Sequence, residues 1–160
     1  MTAQAESAPD NAGVIARPPL IVLGTFGLGL ALQWLLPVLC LVSGAGHRWL
    51  GAALGVAGVS LMAWAIRTFR AAGTHVETWR PTQTIVTRGP YGWSRNPIYV
   101  AMLLIYVGLG MALDALYVLA LALPLFIVLR LGVIAREERY LERKFGQEYL
   151  AYKARVRRWF

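Results

Sequence analysis

The sequence predicts an all-α integral membrane protein with about four transmembrane helices. Three observations carry this. The chain is 58% hydrophobic and only 15% charged, whereas a soluble domain is roughly half apolar and one-quarter charged. The charges are excluded from long apolar runs and crowd the C-terminal quarter. The Lys and Arg residues flank those runs, as membrane topology demands. The net charge of +8 is therefore read as a topology signal facing membrane lipid, and no nucleic-acid partner is expected.

Taken in order, Met1–Ala16 is polar, rich in small residues and without a basic n-region, so it reads as a disordered tail rather than a signal peptide. Residues 17–160 read as a single membrane domain. The first apolar run, 18–42, opens on Pro18 and Pro19, which suit a helix start. Gly24, Gly27 and Gly29 permit close helix approach on one face, and Pro37 introduces a kink. The single cysteine, Cys40, lies in this run and excludes an intrachain disulfide. A short Ser43–Gly46 connector leads to the second run, 49–69. Its Gly51, Gly55 and Gly58 follow small-residue spacing, and this face is expected against the first helix. Residues 71–95 lack helical periodicity and contain Pro81, Gly89, Pro90 and Gly92. Thr84–Thr87 reads as a short extended piece within this loop.

The third run, 97–112, is short. It meets the fourth, 115–135, through Leu113 and Asp114 alone, which makes a tight helical hairpin with Asp114 as N-cap. Nothing stops the fourth helix at Ala135, because Arg136–Lys144 are good helix formers. The first stop is Gly146. A basic helix over about 147–157 follows, lying along the membrane surface, so that helical structure continues over 136–157. The 71–95 loop holds Arg70, Arg80, Arg88 and Arg95 on it or at its edges, and the C-terminal tail is basic. Charge asymmetry thus puts this loop and both termini in the cytoplasm, as for a multi-pass protein of a bacterial-type inner membrane.

Two segments converge on that face. Gly89–Tyr99 ends at the start of the third helix, where free N–H groups favour an anion. Arg136-Glu-Glu-Arg139 lies at the end of the fourth, and the hairpin sets the two side by side. Together they offer aromatic, cationic, amide and doubly acidic groups at the lip of a bilayer. This suits a ligand with a positive centre, a carboxylate and a planar ring, and S-adenosylmethionine has all three. Methyl transfer needs positioning in a dry, correctly charged site more than a covalent nucleophile. His75 has no second histidine or cysteine at metal spacing, so no metal site is expected. Arg130 lies within two turns of the interface, where it either snorkels or faces a polar cavity.

The stretches Thr84-Ile-Val-Thr-Arg-Gly-Pro-Tyr91, Arg95-Asn-Pro-Ile-Tyr99 and Arg136-Glu-Glu-Arg-Tyr-Leu-Glu-Arg-Lys-Phe-Gly-Gln-Glu-Tyr149, with Tyr152, resemble the isoprenylcysteine carboxyl methyltransferase family and the related phospholipid N-methyltransferases. The resemblance runs from about Gly73 to the C-terminus. It implies a pocket for S-adenosylmethionine (S-adenosylhomocysteine as product) between the cytoplasmic loops and the last two helices. It places the cofactor-binding positions at Gln83, Thr84, Ile85, Val86, Tyr91, Asn96, Pro97, Ile98, Tyr99 and Glu137. Two positions depart from the carboxyl methyltransferase pattern. Asn96 replaces the usual histidine, and an amide cannot titrate near neutral pH. The arginine for the substrate carboxyl falls on Val133. Glu138, Arg130 and Arg136 are the candidates for acceptor contacts, with Glu138 the nominated base for an amine acceptor. The expected activity is methyl transfer to an amphipathic or lipid-like acceptor. The rivals are a scaffold whose basic tail holds anionic lipid and a small transporter with Arg130 in its path.

Overall fold

The computed structural model describes residues 11–36, 45–75 and 80–159. Among them every regular element is helical: α1 (Pro18–Leu35), α2 (Gly46–Ala71), α3 (Pro97–Ala112), α4 (Leu116–Val128), α5 (Ala135–Phe145) and α6 (Gln147–Arg155). A 3-10 turn occupies Gly89–Gly92 and a π-helical stretch Leu129–Ile134. The extended piece expected at Thr84–Thr87 pairs with no strand among the described residues. The expected kink at Pro37 and the position of Cys40 lie outside the described residues.

α1 and α3 both open on proline at their first helical position, where the missing N–H leaves no bond unmade. α5 ends at Gly146, whose φ of 52° is a left-handed conformation that glycine adopts without strain. α1, α2 and the continuous helix Leu116–Phe145 are long and apolar enough to cross a membrane. The last of these has 30 residues. About 20 suffice to span the hydrocarbon core, so the charged stretch from Arg136 onward extends past that length. α3 is shorter, at 16 residues.

The pairing of helices differs from the expected one. The glycine face of α2 packs on α3, not on α1, and α1 packs on α4. A Cβ on Gly51 would sit 2.6 Å from the Gly108 carbonyl oxygen, and one on Gly108 would sit 2.6 Å from the Gly55 nitrogen. The missing side chains on both helices let the two backbones touch, and this seam is what selects α3 as partner. In α1 only Gly29 makes a close approach, to the Val118 backbone of α4; Gly24 and Gly27 face open space.

The apolar core lies between α3 and the α4–π–α5 helix. Tyr99 and Tyr106 meet Val118, Leu125, Leu129, Val133 and Ile134 there. Leu125, Leu129 and Val133 are four residues apart, a spacing that drifts around an ordinary 3.6-residue helix. The i→i+5 bonding of the π stretch takes up that drift. It keeps all three on one buried face and delivers Glu137 and Glu138 to the same side.

At the opposite end, Asp114 is not the N-cap of α4. That position belongs to Ala115, without a side-chain cap. Asp114 takes a positive φ of 52°, and its carboxylate turns to α2 instead. It accepts from Arg48 Nε at 2.7 Å and also contacts His47. Arg48 and then His47 hold the carboxyl below its ordinary range. The hairpin turn is thus tied to the start of α2 by charge.

Candidate active site

A cavity of about 250 Å³ opens where α3, α5, α6 and the 71–95 loop meet. It lies near the lower end of the usual range for small-molecule pockets, about 300–1,000 Å³. Its floor is the start of α3, with Asn96, Pro97, Ile98, Tyr99 and Met102. Thr84, Ile85, Val86 and Tyr91 form one wall, together with Phe69 and His75. Glu137, Glu138, Tyr140 and Leu141 of α5 and Tyr149 and Tyr152 of α6 form the other.

Backbone anchors shape the loop wall. The Gln83 N–H donates to Thr74 Oγ1 at 3.0 Å, and the Thr82 N–H to Tyr140 Oη at 3.3 Å. Tyr91 is fixed by its ring against Phe69, with centroids 4.9 Å apart, and by Tyr152 Oη donating to its carbonyl at 2.8 Å. Its own hydroxyl is buried and unpartnered. Burial, then Tyr152 and Glu137 nearby, push that hydroxyl well above the phenol range, so it stays a donor.

The two glutamates have different environments. Glu137 accepts from Tyr99 Oη at 2.7 Å and meets no cationic side chain among the ion pairs of the described residues. Burial pushes its carboxyl up from 4.5 to about 7; the Tyr99 hydrogen bond opposes this and the neighbouring Glu138 charge adds to it. Glu138 is 4% exposed and lies between two arginines. Arg95 Nη2 reaches it at 3.0 Å and Arg158 Nη2 at 2.5 Å. Burial alone would raise its carboxyl, but Arg158 and Arg95 more than offset that and hold it low.

The structure therefore brings Thr84, Ile85, Val86, Tyr91, Asn96, Pro97, Ile98, Tyr99, Glu137 and Glu138 to one cavity. Gln83 does not line it; its side chain is exposed and its backbone serves the loop. Arg130 and Arg136 do not line it either. Arg130 is exposed on the outer side of the π stretch, where Leu129 and Val133 take the buried positions. Arg136 Nη1 instead donates to the Gly13 carbonyl at 2.9 Å. That bond seats residues 11–16, read from the sequence as tail, beside the cavity, and Ala12 enters its lining. His75, Tyr140 and Arg158 were not foreseen. A lone histidine such as His75 announces no role by its spacing, and nothing local marks Arg158, whose partner is 20 residues away.

The fold and site define an all-helical membrane protein with a polar-ended cavity where its helices and loop converge. The sequence matches the phospholipid methyltransferase family over residues 47–148. The chain belongs to that family, one of the integral membrane methyltransferases related to the isoprenylcysteine enzymes. The cobalt-zinc-cadmium resistance protein CzcN of Cupriavidus metallidurans is 37% identical over 81 residues, 51% of this chain and 37% of that protein. An uncharacterized protein of Haemophilus influenzae is 73% identical over 26 residues, 16% of this chain and 41% of its own length. The chain thus spans about two-fifths of the length of these curated relatives. No solved structure matches it significantly.

Proposed function

We propose that the protein is an S-adenosylmethionine-dependent methyltransferase acting on an amphipathic or lipid-like acceptor, with the cavity as its cofactor site. The observation that carries this reading is Glu137, a carboxylate with no cationic partner among the described residues, aligned by Tyr99 inside an otherwise largely apolar cavity. A buried anion without a counter-charge is costly. A cationic ligand group supplies what is missing.

The rest of the lining fits the same group. Glu137 would hold the amino-acid ammonium. Arg95 Nε and Tyr91 Oη, both buried and unpartnered, offer donors for a carboxylate or hydroxyl. Val86, Ile98 and Phe69 offer a wall for a planar ring. Bound there, the cofactor would supply a methyl carbon already activated by its positive sulfur. The chain's own residues then orient, exclude water and, for an amine acceptor, remove a proton. Glu138 is committed to two arginines, so His75, whose imidazole lines the cavity, is the better candidate for the base.

In this reading residues 17–160 are one domain and α3 is a fourth span, packed between α2 and α4. The arginine-rich loop and both termini face the cytoplasm of a bacterial-type inner membrane.

The test is calorimetric titration of the detergent-solubilised protein with S-adenosylhomocysteine. Wild type should bind. Glu137→Ala should bind about 10- to 100-fold more weakly, the worth of one charge-assisted hydrogen bond of about 1.5–3 kcal/mol. Absence of wild-type binding overturns the methyltransferase reading; undiminished binding by Glu137→Ala removes only that residue from it.

A further inference from the structure

Residues Val156–Trp159, after α6, are joined to the cavity floor by a series of hydrogen bonds. The Arg95 N–H donates to the Arg157 carbonyl at 3.0 Å. Ser94 Oγ and Asn96 Nδ2 both donate to the Arg158 carbonyl, at 3.2 and 3.1 Å. Arg95 Nη1 donates to the carbonyls of Lys153 and Val156, each at 2.9 Å. Trp159 closes the segment against Phe126 of α4, with ring centroids 5.1 Å apart. At its centre the Arg158 guanidinium grips Glu138 through Nε at 3.1 Å and Nη2 at 2.5 Å. The family match ends at residue 148, so this segment lies outside it.

We propose that Arg158 is a positioning residue of the site: it clamps Glu138 against Arg95 and orients Asn96 through its carbonyl, so that among the described residues of the cavity Glu137 is the acidic group left to meet a cationic ligand. This rests on the methyltransferase reading for the ligand, but the clamp itself is a property of the chain. Two adjacent carboxylates cannot both stay charged in a poorly solvated site without counter-charge. Arg158 and Arg95 neutralise one, so that the other ionises more readily for the ligand. The Asn96 amide donates one N–H to the Arg158 carbonyl, which fixes the side on which its oxygen lies. The charged and titratable groups around Glu137 are Tyr99 from α3, Tyr91 from the 3-10 turn and Glu138 from α5 itself. Around Glu138 they are Arg95, Arg158 and Tyr149.

The experiment compares full-length wild type, Arg158→Gln, Arg158→Lys and the double variant Glu138→Gln/Arg158→Gln. S-adenosylhomocysteine binding is measured across pH, and the protonation midpoint of Glu137 is read without ligand from the carboxyl stretch in pH-difference infrared spectra. Arg158→Gln should move that midpoint up by about one pH unit and weaken binding near neutral pH by about tenfold. Arg158→Lys should restore most of both, and the double variant should return the midpoint to the wild-type value or below. A purely structural role for Arg158 would not produce rescue by removing a second charge. An unmoved midpoint in Arg158→Gln, or a double variant that keeps the raised one, overturns the proposal. A wild type that binds no S-adenosylhomocysteine overturns the methyltransferase reading, while the ligand-free midpoint still decides the clamp.

Discussion

Glu137 and Glu138 are neighbours in sequence with the same side chain, yet one is committed to arginines and the other to a phenol. That difference sets a pH dependence. With its carboxyl raised from 4.5 to about 7, Glu137 takes up a proton on folding between those values, so its contribution to stability falls as pH climbs through that window. A ligand ammonium needs the ionised form. S-adenosylhomocysteine affinity should therefore rise by up to about tenfold per pH unit below 7 and level off above it. Glu137→Gln should be weak and flat across the same range. A wild-type profile with no slope between pH 5.5 and 7 contradicts this assignment. In the sequence, the pair and the Asn96–Tyr99 stretch were visible as a polar cluster, because a short hairpin had to bring them together. The resemblance put the cofactor on Glu137; that Glu138 is tied to two arginines was not visible, since that depends on Arg158, a contact no local pattern announces.

At the scale of elements, the third helix was legible to the residue, bounded by Pro97 and the Leu113–Asp114 turn. The stop at Gly146 was legible too, from one glycine after a run of helix formers. The partner of α2 was not. A row of glycines advertises close approach but does not name the helix that approaches, and the matching gap at Gly108 is one residue among many small ones. The seam gives a direct test. Gly108→Leu should destabilise the protein by about 1–3 kcal/mol through overpacking, because its side chain would enter the Gly55 backbone. Gly55→Ala should be neutral, since a Cβ there meets nothing within 4 Å. Thermal unfolding in detergent compares the two, and equal melting temperatures would show that the seam is looser than described.

For the whole molecule, the cavity and the Asp114–Arg48 tie lie at opposite ends of the bundle. The proposed topology puts them on opposite sides of the membrane. In a Cys40→Ser background, Leu113→Cys should react with an impermeant maleimide added to intact spheroplasts. Gln147→Cys, also exposed, should react only after permeabilisation. Labelling of both from the same side would refute the four-span arrangement. The π stretch was hidden in the sequence because nothing in Leu129–Ile134, Arg130 and Gly132 included, marks a change of helical pitch. Its consequence is genetic as much as geometric. Substituting one of its outward residues leaves the backbone path intact. The wider turn houses one residue more than an ordinary helix would, so deleting Leu131 would let the stretch relax to an ordinary helix with Glu137 still facing Tyr99, whereas the same deletion within α4 would swing everything beyond it by about 100°. This short stretch should therefore be the place in the span where a three-nucleotide deletion is tolerated, while the same deletion at Leu121 in α4 abolishes S-adenosylhomocysteine binding.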